Sequence, residues 1–170
     1  MIVKLSLIAA RAANGAIGVT GKLPWPVLTK DFQHFAKYTN NTTVIMGRKT
    51  WESLPVNIRP LPNRTCIVIT RNGNSIYESQ AVVASSIEQA VEIAKGFNKD
   101  VTIIGGAEIF RRTLSIVDEI SLTTVLDFYP EADTFFPPFD RQNWYITDSH
   151  TCQDGNFTLL FEILKPIVRN

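Results

Sequence analysis

The stretch VTIIGGAEIF, residues 101–110, decides the fold. An apolar, β-branched run ends at Gly105-Gly106 and gives way at once to a helical pattern. A strand without polar alternation is one with both faces covered, the condition of a parallel strand between helices. Two adjacent glycines let backbone approach a ligand and turn amide N–H groups toward a diphosphate, although tight packing of a turn would use the same residues. The third glycine of a GxGxxG fingerprint is missing, so a Rossmann reading is poor.

Outward from this stretch, the same form recurs. VIMGRKTWESL, residues 44–54, is a buried strand, a glycine turn and two cations opening a helix. Arg48 and Lys49 beside Thr50 at a helix start suit an anion, and a solvated Arg-Lys pair is the plain alternative. Ile69-Thr70-Arg71 is a second junction of strand and cation. In a parallel sheet both strand ends open onto one edge, where ligands bind. Strands are expected at 2–10, 43–46, 65–70, 80–84, 101–104 and 117–126, with weaker ones near 144–149 and 157–164. Helices fit at 29–38, with Phe32, Phe35 and Ala36 on one side, at 48–54, at 86–96 behind a Ser85-Ser86-Ile87-Glu88 capping pattern, and from Gly106. The expectation is a single α/β domain over residues 1–170. A mostly parallel central sheet of about eight strands has flanking helices, closed by an antiparallel C-terminal strand pair.

Composition narrows the function. The chain has 170 residues, 45% hydrophobic and 19% charged, with a net charge of +1 spread along its length. That balance offers no nucleic-acid face and no polybasic membrane patch. No apolar run approaches the length of a membrane span. The N-terminal MIVKLSLIAARAA has too short an apolar run and too thin a basic start for a signal peptide, and reads as a strand. Cys66 and Cys152 match no zinc or redox spacing, as expected of idle thiols in a reducing, cytoplasmic setting. No metal site is expected. Without an exposed apolar stripe, a monomer is the default.

NGAIGVTGKLPWPVLTKDFQHF, residues 14–35, carries glycines and prolines that keep its first part irregular, yet also Ile17, Leu23 and Trp25. Such a loop either packs on the core or covers a ligand. Asp31 falls in the first turn of the following helix, where the dipole alone would favour a carboxylate. Its neighbours Trp25, Leu28, Phe32 and Phe35 are apolar, so desolvation should raise its pKa and strengthen its pairing with a cationic ligand.

Taken in order, these segments resemble dihydrofolate reductase. The matching pieces are SLIAA (6–10), NGAIG (14–18), LPW (23–25), Asp31 with Phe35, VIMGRKTWES (44–53), RPLPNR (59–64), IVITR (67–71), IIGGAEIF (103–110), LTTV (122–125) and EADTFFP (131–137). They cover nearly the whole chain, and the ordered set is far more specific than any member. The resemblance implies NADPH-dependent reduction of the small molecule 7,8-dihydrofolate to tetrahydrofolate, with hydride reaching pterin C6 and a proton reaching N5. It implies that Asp31 holds the pterin's amino edge, supported by Thr123, with Trp25 holding an ordered water and Leu23 on the lid. Ile8, Leu28, Phe35, Thr50, Leu54, Leu61, Ile104 and Phe110 would line the substrate pocket, and Arg64 would clamp the substrate's α-carboxylate. Arg48, Lys49, Thr70 and Arg71 would hold the cofactor phosphates, including the 2′-phosphate. Gly47, Thr50, a cis-linked Gly105-Gly106, Ala107, Glu108 and Ile109 would meet the diphosphate, and Ala9, Ile17 and Phe110 the nicotinamide. Residues 17–25 would form the lid.

The chain departs from the pattern in places. Trp25 and Asp31 are spaced as in animal members, while the acid is Asp as in bacteria. Residues 55–59 lengthen the loop before RPLP, Ala107 replaces a third glycine, and Ala132 stands where many bacterial members carry glycine. Two rivals share some features: a reductase on the same fold acting on a pyrimidine-like intermediate, and a non-catalytic nucleotide-binding module. Neither would need Asp31, Arg64 and LPW together.

Overall fold

The computed structural model describes residues 2–72 and 80–167. Strand β1 (Leu5–Ala12) leads into a short β2 (Ala16–Gly18) and helix α1 (Thr29–Tyr38). Then come β3 (Thr43–Gly47), α2 (Arg48–Ser53), β4 (Thr65–Ile69), β5 (Val82–Ala84) and α3 (Ile87–Lys95). The remainder is β6 (Val101–Gly105), α4 (Ala107–Thr113), β7 (Glu119–Val125), β8 (Thr134–Phe135), β9 (Trp144–Asp154) and β10 (Phe157–Pro166). Eight strands form one sheet in the order β5-β4-β3-β6-β1-β7-β10-β9, and β2 pairs with β8 in a separate ribbon. The six strands from β5 to β7 run parallel, while β10 and β9 close the sheet antiparallel. The domain is the expected α/β architecture.

Apolar strands produce this order because their side chains are covered on both faces. Leu7, Ile45, Ile67, Ile103, Ile120 and Leu122, from five different parallel strands, are fully buried in one cluster. Each such side chain contributes roughly 1.5–3 kcal/mol relative to exposure. A second cluster holds Trp25, Leu28, Val125, Leu159 and Phe161, and a third holds Val44, Met46, Trp51, Leu61 and Val68.

Three local expectations change. The first strand begins at Leu5, not residue 2, because its ladder starts at Leu5↔Val101, and it continues to Ala12 because β7 keeps pairing with it there. Strand β9 runs on through the polar DSHTCQD, since an edge strand drawn along β10 needs no apolar face. Helix α1 has no buried residue, and Phe32 is 55% exposed rather than packed inward.

The cap of α3 is a reciprocal one. Ser86 Oγ accepts the Gln89 N–H at 3.1 Å, while Gln89 Oε1 accepts the Ser85 N–H at 2.7 Å. Ser86→Ala should therefore destabilise the fold by about 1 kcal/mol in a denaturant titration; an unchanged midpoint would show that the cap contributes nothing.

Candidate active site

The site begins at the carboxyl edge of three neighbouring strands. In register, Gly47 of β3 stands opposite Ile69 of β4, and Met46 opposite Gly105 of β6. The sheet therefore brings Thr70-Arg71, Gly47-Arg48-Lys49 and Gly105-Gly106 to one edge. The chain has run outward from β3 through β4 to β5 and returns by inserting β6 next to β3, so this edge lies at a switch in winding direction, where α/β sheets bind ligands.

A bulge between Ile45 and Met46 in the β3–β6 ladder displaces Ile104. Gly105 and Gly106 are joined by a cis peptide, and Gly105 has φ +121°. A Cβ on Gly105 would meet the Phe110 ring at 3.2 Å, and one on Gly106 would meet Thr50 Oγ1 at 3.4 Å. Bare main chain at both positions lets the turn pack closely on Phe110 and Thr50. The cations stand outside this cradle. Arg48 Nη1 pairs with both Glu52 oxygens at 2.9 and 3.0 Å, an exposed i,i+4 contact worth only about 0.3–0.5 kcal/mol and readily exchanged for phosphate. Lys49 and Arg71 are exposed, and Thr70 is buried with its hydroxyl accepting the Asn72 N–H at 3.2 Å. At the start of α4, Ala107 is half-buried and Ile109 buried against Gly47. Glu108 points to Arg111 at 2.7 Å. Its carboxyl is held low by Arg111 first, and also by Arg112 and Arg71, which places Arg71 in the electrostatic neighbourhood of the cradle.

A gap opens beside β1. Lys4 C=O accepts from Val101 N–H of β6, whereas Leu5 C=O accepts from Asp118 N–H, just before β7. Backbone groups alternate sides along a strand, so Ala10 presents its N–H and C=O toward β6. The β1–β6 ladder ends at Leu7↔Ile103, while β1–β7 continues to Ala12↔Val125. Beyond Leu7 the two strands separate, and Ala10 faces the opening with main-chain groups. The neighbouring Ala9 turns its side chain into the core cluster that also holds Phe110. No residue type marks such a position; only the last rung of the ladder does.

The third cluster gathers Phe35, Leu54, Leu61 and Ile104 from four separate segments. Ile8 is buried on β1, Phe110 packs on Phe136 at 5.3 Å, and Ile17 rests on the main core. Trp25 and Leu28 are buried together, and Trp25 meets the Tyr129 ring at 5.9 Å. Leu23 stands 57% exposed on the loop. That loop is tied to the segment around β8: Asp133 Oδ2 accepts the Thr20 N–H at 2.7 Å, and Gly18 C=O accepts the Asp133 N–H at 3.1 Å. The β2–β8 ribbon was missed in the sequence because each strand is only two or three residues long.

Asp31 belongs to a row of polar contacts by which α1 sits on β7. The Thr123 hydroxyl lies beside the Asp31 carboxylate and favours its ionised form. One turn on, His34 Nε2 meets Ser121 Oγ at 2.7 Å, and after another turn the Tyr38 hydroxyl donates to Glu119 Oε1 at 2.6 Å. Helical residues 31, 34 and 38 thereby match strand residues 123, 121 and 119, the inward period of each element. Thr123 is 1% exposed, so Asp31 is turned into the molecule. Burial pushes its carboxyl above the usual range, the Thr123 hydroxyl pulls it back, and the Asp154 charge pushes it up again. Arg64 approaches α1 from its far end. Its Nε donates to Thr39 Oγ1 at 3.0 Å and its terminal nitrogens donate to the carbonyls of Pro62 and Ala36. One N–H on each terminal nitrogen is left, the pair that a carboxylate accepts.

A desolvated carboxylate beside a strand gap, with a cation-flanked glycine cradle on the adjoining edge, is the layout of an α/β enzyme that works on a small molecule with a nucleotide. The dihydrofolate reductase family profile matches residues 4–165. A dihydrofolate reductase of Neisseria meningitidis serogroup A is 42% identical over 84% of this chain and 85% of its own length. That of the moth Heliothis virescens is 33% identical over 97% and 98%. The type 8 enzyme of Escherichia coli is 41% identical over 79% and 80%. The chain belongs to the dihydrofolate reductase family. It is thereby an oxidoreductase whose family uses a nicotinamide nucleotide and a small-molecule substrate. Among the described residues, no helix is long and apolar enough to cross a membrane, and no cluster of His, Cys, Asp and Glu could hold a metal.

The raised Asp31 pKa has a consequence for stability. The folded chain holds that proton more tightly than the unfolded chain, so ionised Asp31 costs stability above the unfolded carboxyl's value and costs nothing well below it. Asp31→Asn, which keeps an acceptor for Thr123, should therefore raise Tm at about pH 7, with the gain fading below about pH 4. Thermal unfolding across that range checks this, and an equal or lower Tm for the variant at neutral pH would contradict it.

Proposed function

We propose that this protein reduces 7,8-dihydrofolate to 5,6,7,8-tetrahydrofolate with NADPH, as a monomer in the cytoplasm. The observation that carries the reading is Asp31, desolvated beside the Thr123 hydroxyl, which stands opposite Ala10 of β1. A pterin presents an amino group and a ring N–H to such a carboxylate, and it becomes positive when N5 takes up its proton, a charge that the hydride arriving at C6 then neutralises. Fixed negative charge at that end stabilises the developing charge without reorganisation. At an effective dielectric near 20 the pairing is worth on the order of a few kcal/mol. Since Asp31 grips the amino edge, it cannot reach N5 at the other side of the ring. Water delivers that proton, and Trp25 with Thr123 orders water near the carboxylate.

The apolar wall of Ile8, Leu28, Phe35, Leu54, Leu61, Ile104 and Phe110 excludes bulk water from the rings, with Thr50 between the two ligand sites. Arg64 holds the α-carboxylate through its two remaining N–H groups, a geometry ammonium cannot supply. When bound, the reduced nicotinamide supplies the hydride. The chain's residues fit that cofactor on three observations. Gly105 and Gly106 present bare main chain at the turn, where a Cβ on Gly105 would press on the Phe110 ring. Arg48, Lys49 and Arg71 flank that glycine pair, with Thr70 shaping the Arg71 turn. Gly47, Ala107, Glu108 and Ile109 frame its floor. Ala9, Ala10 and Ile17 would border the ring, and Leu23 on the 17–25 loop would close over it.

The test is to mix purified protein with dihydrofolate and either NADPH or NADH and follow nicotinamide absorbance. Oxidation should require dihydrofolate and be faster with NADPH. Arg71→Ala should cut kcat/KM for NADPH about 10-fold or more, the loss expected of one charge-assisted phosphate contact, and leave NADH nearly unchanged. No dihydrofolate-dependent oxidation would end the functional reading; a uniform loss for both nucleotides would show that Arg71 does not read the 2′-phosphate.

A further inference from the structure

Helix α1 lacks a cap of its own. Its first amide N–H groups need acceptors, yet the N-cap residue is Leu28, which makes no side-chain cap bond. The acceptor arrives from 124 residues away: Asp154 Oδ2 takes the Lys30 N–H at 2.6 Å. Asp154 is the last residue of β9, at a tight turn where Gly155 has φ +60°. Strand β9 is paired with β10 along its length, and β10 with β7, where Phe161 stands opposite Thr123. The hydroxyl beside Asp31 and the carboxylate that caps its helix are thus carried by one antiparallel array.

We propose that Asp154 is a positioning residue for Asp31, fixing the first turn of α1 from the β9–β10 hairpin and setting the charge environment in which Asp31 ionises. Two carboxylates share the positive end of a single helix. Each is favoured there by the dipole, and the Asp154 charge opposes ionisation of Asp31. The remaining titratable or charged groups facing Asp31 are few. Lys30 and His34 stand on its own helix, and β7 presents the neutral hydroxyls of Thr123 and Ser121. From β9, His150 stacks on Phe161, which also meets His34, and Asp154 pushes the Asp31 carboxyl up. The capping bond fixes where Asp31 sits, and the charge sets how readily it holds a proton.

The kinetic part of this proposal rests on the dihydrofolate reading, whereas the ionisation part does not. The test therefore combines carbon NMR titration of aspartate carboxyls, with Asp31 assigned by Asp31→Asn, and steady-state kinetics. Asp154→Asn keeps an acceptor for Lys30 N–H and removes the charge. It should lower the titration midpoint of Asp31 with Tm little changed. Asp154→Ala loses both functions and should also raise the dihydrofolate KM about 3- to 10-fold, the range of a lost helix cap, with nucleotide KM unaltered. Asp148→Asn, on the same strand, should move neither readout. An Asp31 midpoint unmoved in Asp154→Asn would overturn the charge role, since a purely structural contact would leave it so. An unaltered dihydrofolate KM in Asp154→Ala would overturn the positioning role. Wild-type protein inactive on dihydrofolate would defeat the functional reading, while the NMR midpoints would still decide the coupling.

Discussion

A carboxylate that has lost most of its water, and that stands beside a buried hydroxyl, is the constraint on which the rest of the molecule turns. Asp31 could have faced solvent at the start of its helix at little cost. Instead α1 carries no buried residue and seats itself on β7 by matched polar pairs, Asp31 with Thr123, His34 with Ser121, Tyr38 with Glu119. An apolar helix face could slide on a sheet with little penalty. Paired polar groups cannot, because each loses its partner if the register slips. The helix is thereby held to one position, and with it the Asp31 carboxylate.

The same sheet supplies the other half of the site by a different device. Where β7 contributes side chains, β6 and β1 contribute main chain: Gly105-Gly106 on one side of the gap, Ala10 on the other. Main-chain groups on paired strands are rigid and carry no rotamer entropy, which suits them to orient a flat ring or a diphosphate. The cations are the adaptable part. Arg48 sits in a weak exposed pair with Glu52, and Arg71 lies within reach of the Glu108 field, so both can be drawn to phosphate without dismantling structure.

Much of this was legible in the residues, and the limits are physical. Parallel strands announce themselves by uninterrupted β-branched runs, so β3, β4, β6 and β7 fell where expected, as did the glycine cradle between β6 and α4. What depends on a partner distant in sequence did not. The polar second half of β9 is a strand only because β10 templates it. The pairing of β2 with β8 rests on too few residues to have a period. Phe32 follows the helical spacing of Phe35, yet it is left at the surface while Phe35 packs on the third cluster. Ala10 and Asp154 owe their positions to where a ladder ends and a hairpin turns, which composition does not record. The family resemblance points to Asp31 and Thr123, but carries no sign of the carboxylate that caps the helix beside them.

Asp31→Asn distinguishes this account from its competitors most directly, because it removes charge with almost no change of shape. Turnover of dihydrofolate and the affinity for NADPH should be measured on the same preparation. The account predicts a fall in turnover of about 100-fold or more with nucleotide affinity held near that of the wild type. Equal damage to both, or turnover left intact, would contradict it.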